Sequence, residues 1–353
     1  MTYSWKLNVY RSWDEVDDPS FIEQWNGWMH ESTDVHVFNH PVMVKAWTDT
    51  YRRLWHIEPL YIVARAQGVS VMLPLILWRR NWKNAWIRVI VPAGYSDFDY
   101  HEPVIVAENT DGLISSFWSM LEDWILGEGF GGCDKVELTG MRYPGTNAWK
   151  PLPDVCPYVS LAGYQDYQDY LSTLKKSLRQ DIGRQKRRLA QNGSLRYHAY
   201  SPSITDDALD SFRLFMDTHA EKWPGAYKAP GLHECVFRTG SEAGLVHFSE
   251  LRLDNKPISW HFGFLYRDRF YYYMPSYLNA LSNYSPSKVH LSFLVEECFE
   301  RGVAIFDHLR GMENYKHGWA GESASLYGFD AFSPSLLSRF KLSAFNRLQD
   351  FRK

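Results

Sequence analysis

The sequence predicts two mixed α/β domains joined in one chain. Its 353 residues are more than twice the ~150 of an ordinary domain. Apolar residues make up 45 % against a net charge of −3, a balance that buries large cores and excludes disorder. The order of helical and strand-like runs in the first half also resembles that in the second.

Residues 21–30 and 42–54 have amphipathic helical spacing. Residues 59–66 and 69–78 read as strands, with Gly68 turning between them. A third strand is expected over 86–91, a Gly- and Asp-rich loop over 92–102, and a short strand over 104–106. The run 113–126 predicts a helix and 136–138 another strand. Pro144, Pro151, Pro153 and Pro157 then crowd together, which puts the boundary there: 1–150 as the first domain, 151–353 as the second.

The second domain opens with a helix over 167–191, stopped by Asn192-Gly193. A helix over 207–222 follows. Strands over 245–253, 257–266 and 270–277 meet at Asp254-Asn255 and Arg267-Asp268, so a meander is expected. The run 289–300 is a helix and 303–307 a buried strand. Val136-Glu137-Leu138-Thr139-Gly140-Met141 aligns with Asp307-His308-Leu309-Arg310-Gly311-Met312, each after a helix and a glycine, which supports a duplication. The first copy has Leu73, Val136 and Gly145 where the second has His261, Asp307 and Lys316. The second copy is therefore the expected working half, and the first a non-catalytic one.

Several classes are disfavoured. The near-neutral balance argues against a dedicated DNA binder. The most apolar run, 68–78, is too short for a bilayer, which takes about 20 residues. No secretory pattern opens the chain, so a cytoplasmic protein is expected. Cys133, Cys156, Cys235 and Cys298 lie far apart and read as reduced thiols rather than a disulfide frame or zinc site.

Gly127-Glu128-Gly129-Phe130-Gly131-Gly132 has dinucleotide-fingerprint spacing but closes a helix instead of opening one, so it reads as a helix stop. His36 and His40 have ligand spacing without a third ligand, and a solvated loop is expected there, with no metal. No Gly-x-Ser-x-Gly elbow supports a serine hydrolase.

Residues 174–189 carry seven basic residues and one acid. Leu171, Leu174, Leu178, Ile182 and Leu189 give the helix a packing face, and the rest is cationic. Lys176, Arg179, Arg184, Lys186 and Arg187 are candidate contacts for phosphates on a nucleotide, a lipid diphosphate or a tRNA. A solvated charged face is the structural alternative. Further on, Ser285-Pro286-Ser287-Lys288 opens a helix with Pro at its first position. Ser285, Ser287, Lys288 and free N–H groups beside them form a candidate anion site. The strand after that helix leads into Asp307-His308-Leu309-Arg310-Gly311-Met312-Glu313-Asn314-Tyr315-Lys316. Such polar density at the end of a buried strand points to function, with ion-pair packing between the halves as the alternative.

These blocks resemble the CelD-type acyltransferases, tandem members of the GNAT superfamily associated with cellulose and other cell-surface polysaccharide loci. Helix 171–191, Tyr284-Ser285-Pro286, and Phe306-Asp307-x-x-x-Gly311-x-Glu313-x-Tyr315-Lys316-x-x-Trp319 carry the resemblance. The loop Pro92-Ala93-Gly94-Tyr95-Ser96-Asp97-Phe98-Asp99-Tyr100 fits the family's first half. The layout is also similar to Fem-type ligases, which move amino acids from aminoacyl-tRNA onto peptidoglycan precursors. There a lysine matching Lys316 is implicated in substrate or transition-state stabilisation. Where GNAT enzymes hold coenzyme A pyrophosphate on an Arg/Gln-x-x-Gly-x-Gly/Ala turn, this chain reads Tyr284-Ser285-Pro286-Ser287-Lys288.

The resemblance implies a tandem GNAT-like acyl-CoA N-acyltransferase fold with a catalytic second domain. It implies transfer of an acyl group, acetyl first, from acyl-CoA to an amine or hydroxyl of a sugar or polysaccharide precursor. A base must take the proton of the attacking group: His261, which titrates near neutrality unless perturbed, or Asp307 or Glu313 through a water. Lys316 would face the oxyanion or a phosphate. Tyr273 is the expected proton donor to the departing thiolate, and Tyr315 an expected sugar contact. The alternatives are an aminoacyl-tRNA-dependent Fem-like ligase, with the basic helix on tRNA, and a non-catalytic carbohydrate-binding or scaffold protein.

Overall fold

The computed structural model describes residues 4–79, 86–107, 112–127, 131–200 and 205–350. Contacts divide the chain into two units, Met1–Pro153 with Ser325–Lys353, and Asp154–Ala324.

In the first unit β1 (Lys6–Tyr10) is followed by α1 (Trp13–Val16), α2 (Pro19–Glu31) and α3 (Pro41–Leu54). Each helix start has a local cause. Ser12 and Glu15 form a capping box for α1, Asp18 accepts from Ser20 N to cap α2, and Pro19 and Pro41 sit at first helical positions where no N–H is needed. Then come β2 (Ile57–Ala66), β3 (Val69–Arg79), β4 (Arg88–Pro92), β5 (Val104–Val106), α4 (Leu113–Leu126) and β6 (Lys135–Met141).

The chain crosses to the second unit within β7 (Lys150–Ser160). There follow α5 (Tyr167–Thr173), α6 (Lys176–Ala190), β8 (Leu195–Ala199), α7 (Asp206–Lys222), α8 (Leu232–Glu242), β9 (Val246–Leu253), β10 (Lys256–Tyr266), β11 (Arg269–Tyr277), α9 (Pro286–Glu300), β12 (Ile305–Asp307) and α10 (Asn314–Trp319). It returns to the first unit within β13 (Glu322–Phe332) and continues as α11 (Leu336–Asp350).

The first unit's sheet runs β1-β2-β3-β4-β6-β13, with β5 against β3. The second's runs β8-β9-β10-β11-β12-β7. In each, one pair is parallel, β4 with β6 and β11 with β12, and the connecting α4 or α9 is the crossover that parallel pairing requires. The two sheets thus share order and direction, as the aligned segments 136–141 and 307–312 suggested.

Residues 325–353, assigned to the second domain from sequence, group with the first unit. β13 pairs with β6 from Tyr327 to Phe332, and Ser338 Oγ donates to Asp134 Oδ1 at 2.6 Å. The expected helix 167–191 is two helices. Ser172 and Thr173 hydroxyls bond back to the carbonyls of Asp169 and Tyr170, and Leu174 and Lys175 are extended. The expected meander is present, its turns made by left-handed Asp254 (φ 49°), Asn255 (φ 65°) and Arg267 (φ 55°).

Alternation along β10 and β11 sends side chains to two cores. Phe262 packs with Phe212, Phe215 and Phe237 of α7 and α8. Phe270 and Tyr272 join Phe306, Leu291, Leu294 and Val295 beneath α9. Each such ring buried contributes roughly 1.5–3 kcal/mol.

Candidate functional site

Parallel pairing of β11 with β12 ends at Tyr271 opposite Asp307. Beyond it β11 continues along β10, whereas the chain after β12 stays with β7: His308 N donates to Pro157 O (2.9 Å) and Gly311 N to Val155 O (3.0 Å). The parallel strands therefore part beyond Tyr271 and Asp307.

Asp307 is fully buried. It is paired with Arg269 at 3.0 Å and accepts from Leu309 N at 2.8 Å, which holds Leu309 in a left-handed conformation (φ 58°). Gly311 (φ 146°) follows. A Cβ there would overlap the Glu313 carboxylate and come within 2.7 Å of Lys316 Nζ. The Lys316 ammonium is buried. It donates to Arg310 O (2.7 Å) and Leu309 O (3.5 Å) and pairs with Glu313 Oε2 at 3.2 Å. An ammonium has three donors. All three are engaged by the loop, and the Glu313 carboxylate remains half exposed.

His261 was expected to titrate near neutrality. Its ring is completely buried, stacked on Tyr272 (4.6 Å between centroids), and neither nitrogen has a hydrogen-bond partner among the described residues. Desolvation of the cation holds its pKa well below the usual imidazole value. His308, which the sequence reading did not select, is in the same state: buried, unpartnered at both nitrogens, edge-on to Tyr272, its pKa pushed down to about 3 by burial and by Lys316.

Tyr273, the proton donor expected from sequence, and its neighbour Tyr272 lie on opposite faces of the sheet. The Tyr273 ring packs against Phe262 and Phe264, on the α7–α8 side of the sheet. Tyr272 faces α9, where its hydroxyl meets the Ser287 side chain. Burial raises the Tyr272 pKa and keeps the phenol protonated. Tyr315 has an exposed ring, yet its hydroxyl lies near Tyr272 and Glu313, and desolvation with these neighbours raises its pKa. Period-2 alternation from Phe270, a core residue, would have pointed to Tyr272.

α9 begins at left-handed Ser285 (φ 48°), with Pro286 next. Lys288 N and Val289 N are both taken by Ser285 O, at 3.1 and 3.2 Å, so the expected free N–H of Lys288 is engaged; the Ser287 N–H has no acceptor among the described residues. The Lys288 ammonium is bound to Asp181 of α6. On α6, Arg184 also pairs with Asp181, and Lys186 lies 3.9 Å from both Glu296 and the Phe293 ring centre, its pKa lowered by burial. Lys176, Arg179 and Arg187 are exposed and have no ion-pair partner among the described residues. Their spacing of three and eight sets them along one side of the helix, beside Gly183.

In the first unit His36 is not in a solvated loop. Its Nε2 lies 2.9 Å from Glu102 Oε2, both residues buried, and the other Glu102 oxygen accepts from the partly buried Arg142, at N (2.6 Å) and Nε (2.7 Å). Burial opposes ionisation of Glu102, but Arg142 and His36 outweigh it and hold its pKa below the carboxylate range. His40 caps α3 through Nδ1. Of the glycine-rich segment, Glu128, Gly129 and Phe130 lie outside the described residues. Among the described residues no cluster of three or more His, Cys, Asp or Glu could hold a metal, and no helix is long and apolar enough to cross a membrane. The four cysteines are free thiols.

Residues 176–317, within the second unit, match the family model of the acetyltransferase (GNAT) domain. This supports an acyltransferase of the transferase class. Among solved structures, the chain is similar to FemX (8 % identity over 87 % of this chain and 95 % of that one, TM-score 0.56). It is also similar to L-PGS from Bacillus licheniformis (10 %, 94 % and 97 %, 0.55) and to a tandem GNAT protein from the clavulanic acid biosynthesis pathway (9 %, 94 % and 100 %, 0.51). At such identities the likeness is one of fold, and the fold is a tandem GNAT fold. No curated protein matches the sequence.

Proposed function

We propose that the second unit transfers an acyl group, acetyl first, from acyl-CoA to an amine or hydroxyl on a sugar or cell-surface polysaccharide precursor. The observation that supports this most is the convergence of Tyr272, Ser287, Tyr315, Glu313 and Lys316 where β11 and β12 part. The groups present fit a thioester donor with a diphosphate. The Ser287 N–H is unengaged at the start of a 15-residue helix, where the dipole favours anions. Lys288, tied to Asp181, contributes less than the sequence suggested. When bound, the donor supplies the activated acyl carbon.

The chain's own groups divide the remaining work. Glu313 is the accessible carboxylate of the set and accepts the proton of the attacking amine or hydroxyl, because His261 and Asp307 are sealed from solvent. Such a base contributes roughly 10²–10⁴ in rate. Tyr272, protonated at neutral pH, hydrogen-bonds the departing sulfur. Lys316, its ammonium spent on the loop, holds the carbonyls of Leu309 and Arg310 in place.

Thermal stabilisation tests the donor. Coenzyme A or acetyl-CoA should raise Tm, and Glu313→Gln should lower kcat about a hundredfold or more without changing that shift. Absence of any shift with either nucleotide sinks the donor assignment. A second reading, an aminoacyl-tRNA-dependent ligase, is favoured by Lys176, Arg179 and Arg187 on α6, exposed and without an ion-pair partner among the described residues. Stabilisation by charged tRNA and not by coenzyme A would select it.

A further inference from the structure

We infer that α11 docks the protein on an anionic lipid surface. The helix turns Leu336, Leu337 and Phe340 to solvent at 82 %, 64 % and 72 % exposure, and Phe332 at the end of β13 adds a ring exposed at 57 %. Positions 336, 340 and 347 lie on one side of an α-helix, with 337 beside them. That side is apolar for its first two turns and ends in Arg347, with Arg339 exposed on its flank. Isolated surface leucines are ordinary, but adjacent large apolar side chains of this kind mark an interaction surface.

The opposite side of the helix is anchored. Ser338 is buried and donates to Asp134 Oδ1, and Lys341 Nζ is 3.4 Å from both oxygens of that carboxylate. The apolar side therefore points outward because the polar side is fastened down.

Charge identifies what covers it. From 336 to 347 the helix carries Arg339 and Arg347 on its exposed side, Lys341 held by Asp134, and no acid, within a chain of net charge −3. A second copy docked helix to helix would set Arg339 and Arg347 against their own equivalents. A bilayer boundary rich in lipid phosphates accepts both features at once: leucyl and phenyl groups enter the acyl region while guanidinium groups stay among the headgroups. Among the described residues no helix is long and apolar enough to cross a membrane, so α11 would lie in the plane of the surface.

Co-sedimentation of the full chain with vesicles tests this. Vesicles of phosphatidylcholine containing phosphatidylglycerol should retain the protein about tenfold better than phosphatidylcholine alone, and added salt should release it. Leu336→Ser, Leu337→Ser and Phe340→Ser combined, and separately Arg339→Gln with Arg347→Gln, should each lose about tenfold in binding. Both variants should keep the parent Tm and its coenzyme A response. Equal retention on the two vesicle types overturns the inference, as does full retention by the arginine variant, which stays informative if the serine variant misfolds. A dimer that the serine substitutions dissociate, with no vesicle binding, assigns the surface to self-association and overturns it too.

Discussion

Gly311 and Lys316 show how far a single position can be read. The block from Asp307 to Lys316 stood out because charged and flexible residues follow a buried strand. What sequence could not give is that the Lys316 donors are spent on Leu309 O, Arg310 O and Glu313, because a side chain's partners depend on the loop that it closes. Gly311→Ala should lower stability by about 1–3 kcal/mol, since φ 146° is strained for alanine and the Cβ displaces the Glu313–Lys316 pair. Lys316→Met should cost a similar amount by orphaning buried carbonyls. Denaturant melts distinguish the outcomes: a Lys316→Met chain as stable as the parent, yet inactive, would make that lysine purely catalytic. Which of Tyr272 and Tyr273 faces α9 is a register effect. A run of three tyrosines does not say which faces α9, and that is fixed by the pairing of β11 with β10 and β12.

At the scale of elements, long periodic segments were legible: α2, α3, α4, α7, α9 and the meander β9–β11 all lie where spacing put them. Elements whose signal is tertiary were not. β8 pairs among the described residues with β9 alone, with half-buried side chains and little alternation in hydropathy, and α8 starts after left-handed Gly231 (φ 84°) in a stretch where no element was expected. The basic helix was legible as a composition, but only the fold separates its spent cations from its free ones. Arg184, Lys186 and Lys288 have ion-pair partners, and Lys176, Arg179 and Arg187 have none among the described residues. Arg179→Gln with Arg187→Gln should therefore leave stability within about 0.5 kcal/mol while weakening binding of a phosphate-bearing ligand about tenfold, with a shallower salt dependence. Isothermal titration over a salt series measures this, and an unchanged Kd would make the stripe a solvated face.

Across the whole molecule, buried imidazoles set the response to acid. In the second unit burial holds His219 and His233 at about 4, His290 and His308 at about 3, and His261 well below its ordinary value. The folded state refuses protons that the unfolded chain accepts near pH 6.5, so the stabilisation is complete above that pH. It is lost as the pH falls below that value, because the unfolded chain then takes up protons that the folded rings do not. Glu297, held at about 2 by His247, Tyr197 and Arg301 against its burial, adds its own loss only below about pH 4.5. Unfolding followed by tryptophan fluorescence should set in between pH 6 and 5. A molecule that keeps its stability flat down to pH 4.5 would contradict that. The tandem architecture itself was legible as repeated order, whereas the grouping of 325–353 with the first unit was not, since no local pattern announces which strand a distant edge will accept.

That grouping has a consequence for synthesis on the ribosome. β6 gains its neighbour β13 only after every residue of the second unit has been made. The half that emerges first is thus the last to be completed, and until then it presents β6 as an open strand edge. Vectorial synthesis therefore finishes the GNAT-matched unit before its partner, and a chain halted after Ala324 leaves the first sheet one strand short.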